Sequence, residues 1–134
     1  MTILYKDVTI ALVKHCKAAT GLPRFVWENK DDSGDRPRVE FDHVRVGTSD
    51  RTLNGGATVH RGYLQLTVVT ALDQFTNQAE DFADLIAAHF AYPLRLEVTG
   101  GKISVMKPPE ALNGFRDRDA GEWRVPVRID YQAH

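Results

Sequence analysis

The stretch Gly47–Thr70, "GTSDRTLNGGATVHRGYLQLTVVT", decides how the middle of the chain is read. Its second half alternates: Leu64, Leu66 and Val68 share one side, with Tyr63, Gln65, Thr67 and Val69 on the other, the period of a half-buried strand. Its first half is polar, carries Gly55–Gly56, and has only Leu53 and Val59 as sizeable apolar side chains. Thr48–His60 therefore reads as a long loop, and a connection of that length in a compact domain has a job or is disordered.

Working outward toward the N-terminus, "RPRVEFDHVRVG" (Arg36–Gly47) reads as a strand with a fault in its alternation. Val39 and Phe41 share a face while Val44 and Val46 fall on the opposite one. A bulge near Asp42–His43 would bring both pairs inward, because one extra residue flips every later side chain. Lys30–Asp35 ("KDDSGD") has the composition of a surface turn, and Arg24–Asn29 that of a short strand. Leu4, Val8, Leu12 and Cys16 at i, i+4 spacing predict a first helix, stopped by Gly21 and Pro23.

Toward the C-terminus, Ala79, Phe82, Ala83, Ile86 and Phe90 form the stripe of a second helix. Asn77 and Glu80 give it a capping-box pattern, and Pro93 ends it. Leu94–Met106 reads as a hairpin turning at Gly100–Gly101. A second long loop, Lys107–Gly121, precedes a last strand in which Trp123, Val125, Val127, Ile129 and Tyr131 alternate. Pro126 lacks an N–H, which favours an edge strand or a bulge. The order α-β-β-β-α-β-β-β predicts an α+β fold: a two-layer sandwich with two helices packed on a mainly antiparallel sheet of about five to six strands, in one domain spanning 1–134.

Composition narrows the function classes. The chain has 134 residues, 43% hydrophobic, with a net charge of −1, enough for a real core and unlike a disordered chain. A near-neutral balance argues against a dedicated nucleic-acid binder, whose footprint is a basic patch. Cys16 is the single cysteine, so an internal disulfide is impossible. Lys6, Asp7 and Lys14 interrupt the apolar N-terminal residues, which argues against a signal peptide or membrane span and predicts a soluble intracellular protein.

No constellation carries enzyme chemistry: HExxH, CxxC, GxSxG and GxGxxG are absent. Cys16 lies on an apolar helical stripe, His15 and His89 on different helices without a local carboxylate, and Asp42 and His43 on opposite strand faces. Asp31, Asp32 and Asp35, and then Asp117, Asp119 and Glu122, supply oxygen atoms, yet neither set has the ligand positions of a calcium loop. Neither a catalytic residue, a metal ligand nor a cofactor is therefore expected. The arginines are dispersed among acids, as in an interface laced with ion pairs.

Taken in order, "GLPRFVWEN", "RGYLQLTVV", "AEDFADLIAAHF", "VTGGKI" and "GEWRVPVRIDYQA" resemble the tail terminator proteins of long-tailed bacteriophages and prophages, similar in layout to the lambda type. The resemblance implies a non-enzymatic virion protein, assembled in the host cytoplasm and placed at the head-proximal end of the tail. It implies a hexameric ring that caps the tail tube, halts polymerisation and presents a surface for a head–tail connector protein, with DNA only passing through the lumen. The residues themselves suggest two assembly arms: Arg51, Leu53, Asn54 and Arg61 in the first long loop, and Leu112, Phe115, Arg116 and Arg118 in the second. The rival readings are another neck or head–tail joining protein, and a small enzyme or ligand-binding domain with a pocket between helix and sheet.

Overall fold

The described residues of the polar half of Gly47–Thr70, 47–50 and 58–60, are strand, not loop. In the computed structural model, which describes residues 3–28, 36–50, 58–72 and 77–134, β2 (Arg38–Asp50) and β3 (Thr58–Ala71) form one long antiparallel hairpin. Thr48 pairs with His60, Ser49 with Val59 and Asp50 with Thr58. The other elements are α1 (Tyr5–Lys17), β1 (Arg24–Val26), α2 (Asn77–His89), β4 (Arg95–Val98), β5 (Gly101–Val105), β6 (Glu110–Ala111), β7 (Phe115–Asp117) and β8 (Glu122–Ala133). The expected turn at 30–35 lies outside the described residues.

The strands form one sheet in the order β1-β2-β3-β8-β5-β4, with β6 and β7 also paired to β8, and only β1 runs parallel to its neighbour. Strand accounts for 49% of the described residues, and the sheet curls into a half-barrel. The fold is α+β, but the expected two-layer sandwich of helices on an open sheet is overturned. Two features bend the sheet. Register slips between Arg45 and Gly47, where a bulge increases local twist. β8 meets β7, β6 and β5 in turn along its free side, so it is central throughout.

Pro126 accordingly does not sit on an edge. Its carbonyl accepts a hydrogen bond from Leu112 N–H (2.8 Å), so its missing N–H faces the interval between the β6 and β7 ladders. The ladder is interrupted there anyway, and no donor is lost. The bulge also departs from expectation. It falls at Val46, which remains 65% exposed, and not at Asp42–His43. His43 keeps its inward place because Thr9 and Tyr131 satisfy both ring nitrogens. The predicted hairpin is present, but its turn lies one residue earlier than expected, at Thr99–Gly100 with Gly100 at φ 92°, and Gly101 opens β5.

Both helices feed one core. Val8, Leu12 and Cys16 from α1 join Ala79, Ala83 and Ile86 from α2, with Phe90 just beyond it, against Val39, Phe41, Leu64, Leu66, Val127 and Ile129. α2 begins at Asn77, so the position that would cap it lies outside the described residues. Histidines fasten the helices. His15 and His89 stack at 3.9 Å, and each Nε2–H donates to the other's carbonyl, at 2.8 and 2.6 Å. His60 donates through Nε2 to Ile3 O (2.8 Å) and meets Thr48 through Nδ1 (3.1 Å). Gly62 permits the close approach of Tyr131 to His43: a Cβ there would stand 2.5 Å from Val44 O and 2.8 Å from the Tyr131 hydroxyl.

The sheet face turned away from the helices carries charge instead. Arg38 is fully buried, pairs with Glu122 at 2.7 Å and Glu40 at 3.0 Å, and Arg124 reaches the same two carboxylates at 2.8 and 3.0 Å. Burial pushes the Glu40 carboxyl up, but Arg124 and Arg38 outweigh it and hold the group below its ordinary value. Breaking a buried pair leaves an uncompensated charge. We expect Arg38→Ala to lower stability by about 3–5 kcal/mol, read as a shift of the urea midpoint; a loss under about 1 kcal/mol would contradict this account.

Burial, reinforced by the Arg45 cation, lowers His43 to about 4 from its ordinary 6.5. The unfolded chain therefore binds more protons between these values, and stability falls as pH drops through that window. Denaturant midpoints should be level above about pH 7 and decline from about 6.5 toward 4, and His43→Gln should flatten that slope. An unchanged slope in the variant would exclude His43 as its source.

Candidate assembly surfaces

The first proposed arm divides. Arg51, Leu53 and Asn54 lie outside the described residues, whereas Arg61 stands in β3, opposite Gly47 and Gln132. Arg61 is exposed and forms no ion pair among the described residues. It borders a shallow cavity of about 320 Å³ with Val46, Met106, Arg128 and Asp130. Arg128 is held in place: its guanidinium lies 4.0 Å from the Tyr63 ring centroid and its Nε donates to Asp130 at 3.0 Å.

The second arm is a strap, not a free loop. β6 and β7 bind it along β8, and Gly114 lies so flat on the Trp123 indole that a Cβ would stand 2.4 Å from the ring. Asp117 accepts from Ala120 N–H (3.3 Å), and Arg36 donates to the carbonyls of Ala120 (3.2 Å) and Gly121 (2.8 Å). On this fixed support Leu112 is 41% and Phe115 50% exposed, beside the exposed Arg116 and Arg118. Two of the carboxylates considered as metal ligands are engaged by protein, Glu122 by Arg38 and Arg124, and Asp117 by the Ala120 amide, while Asp119 is exposed. Asp31, Asp32 and Asp35 lie outside the described residues.

Arg61 and the strap do not come together. Gln132 faces Arg61 and Arg124 faces Phe115, so the interval along β8 is eight residues, or roughly 27 Å at the rise of an antiparallel strand. Each chain thus offers two distinct exposed regions at opposite ends of its central strand.

Other groups with chemical potential are occupied structurally. Burial raises the Cys16 thiol to about 12, which leaves it protonated and inert as a nucleophile. Burial also raises the Tyr131 hydroxyl well above its ordinary value, and it is spent on His43. Among the described residues, groups of three or more potential metal ligands are absent, and no helix is long and apolar enough to cross a membrane.

Sequence reading overlooked the exposed apolar residues outside the loops. Val46 protrudes from β2, Tyr92 from the turn after α2 and Met106 from the end of β5, and Ile10 and Leu85 protrude from the helices. For the helices a signal was present: Ile10 and Leu85 stand opposite the buried stripes of α1 and α2 and are flanked by charge.

The curled sheet with two helices is shared with a solved structure that is 20% identical and superposes with a TM-score of 0.77, covering 99% of this chain and 97% of that one. That likeness concerns the fold alone. No curated protein matches the chain. A family model described as "Phage tail terminator protein" matches residues 7–131, nearly the whole sequence. The chain therefore belongs to the phage tail terminator family, a structural family of the virion tail.

Proposed function

We propose that this chain forms a ring, six copies in our reading, that caps the head-proximal end of the tail tube, stops its polymerisation and presents the surface to which a head–tail connector protein binds. In this reading it is a single domain that catalyses nothing, and DNA only passes through the lumen. The observation that carries the proposal is the separation of two unlike exposed regions at opposite ends of β8, around Arg61 and around Leu112–Arg118. A subunit that must meet different partners above and below needs two such regions, whereas a pocket enzyme needs one convergent site.

We assign Arg51, Leu53, Asn54 and Arg61 to one partner-facing surface and Leu112, Phe115, Arg116 and Arg118 to the other. Arginine suits these positions because its planar guanidinium pairs directionally with carboxylates across an interface. Leu112 and Phe115 add apolar contact on a strap that needs no ordering, which lowers the entropic cost of binding.

Light scattering after size exclusion should give particles near six times the 15.0 kDa chain mass, imaged as rings by negative-stain microscopy. Joint replacement of Leu112 and Phe115 by Ser should leave the thermal melt of the subunit within a few degrees of the parent and abolish joined particles. Normal yields of infectious particles from that variant would overturn the assignment.

A further inference from the structure

We propose that neighbouring copies in the ring meet helix to helix, the outward face of α1 on one copy against the outward face of α2 on the next. This rests on the ring reading above and names the contact that would close it.

The two faces are complementary in charge and alike in build. On α1, Lys6, Ile10 and Lys14 follow at i, i+4, i+8, which places them on one stripe opposite the buried Val8, Leu12 and Cys16. On α2, Asp81, Asp84 and Leu85 occupy the side opposite Ala79, Ala83 and Ile86. Lys6 and Lys14 form no ion pair among the described residues, and neither do Asp81 and Asp84. Each stripe carries one protruding apolar side chain, Ile10 at 61% exposure and Leu85 at 43%.

Here lysines dominate one stripe, with Asp7 at its edge, and aspartates the other, which attracts a second copy in one orientation and repels like faces. A shallow groove of about 270 Å³ opens beside Lys14, between Ala11 and Leu96 with Glu97 also on its wall, and can receive the partner's leucine side chain. Because the two faces lie on different helices, the contact is heterologous, as a head-to-tail ring requires. Each helix has 13 residues, about 20 Å of length, so a single contact is small and weak. A closed ring holds every copy on both sides, and assembly is cooperative in consequence.

The test uses the full chain with cysteine pairs. In a 1:1 mixture of Ile10→Cys and Leu85→Cys chains, mild oxidation should give an intermolecular disulfide dimer that neither chain gives alone. The double variant should give a ladder of multimers beyond the dimer. Dimers only would mean a twofold contact and would overturn the proposal. So would crosslinking no greater than that of a Val46→Cys and Leu85→Cys mixture.

Charge reversal supplies the second arm. Lys6→Glu with Lys14→Glu, or Asp81→Lys with Asp84→Lys, should each lower the assembled fraction at least about tenfold, and mixing the two reversed chains should restore it. Rings that survive both reversals would leave the ring reading standing and exclude this contact. Crosslinked ladders whose mass never approaches six copies would do the reverse.

Discussion

The β3–β8 ladder is the constraint on which the rest of the molecule depends. It runs without a break from His60↔Ala133 to Ala71↔Glu122, and toward the Glu122 end both of its faces are covered. On one face Leu64, Leu66, Val68, Val125, Val127 and Ile129 pack under the two helices. On the other, Arg38, Glu40, Glu122 and Arg124 form a charged layer around Val69, which is itself buried. A strand buried on both sides tolerates little shift, since a slip of one residue would exchange apolar core for buried charge. That rigidity is what a scaffold needs to present loops at fixed separation.

Much of the core was legible in the chain because it obeys simple periods. Leu64, Leu66 and Val68 alternate, Val8, Leu12 and Cys16 recur at helical spacing, and both stripes are buried. What could not be read is polar structure satisfied by distant partners. Thr48–Asp50 and Thr58–His60 look like loop, yet they pair as strand while His60 finds Ile3 O and Thr48. Arg38 looks like a surface residue and is buried, because Glu122 lies opposite it in a strand more than eighty positions away. Pro126 suggests an edge, yet the gap between β6 and β7 removes the need for its N–H. Hydropathy sees the residue and not its partner.

The same limit applied to the assembly surfaces. The loop residues stand out in the sequence for glycine, arginine and isolated apolar side chains, and in the structure Leu112 and Phe115 are exposed on a strap paired to β8. The helix faces carry a weaker sequence mark, two charges of one sign and one exposed apolar residue on each side of the proposed contact. That mark becomes readable only when burial shows which helical face is free. In the proposed ring, the core and the contact between copies draw on the same two helices, on opposite sides.

The most direct test of the central claim, that this chain ends the growing tail tube, is the distribution of tail lengths in particles produced with the chain deleted, measured by electron microscopy. Tubes that run past the normal length and carry no joined heads are the result required here. Tails of normal, uniform length without the chain would contradict it.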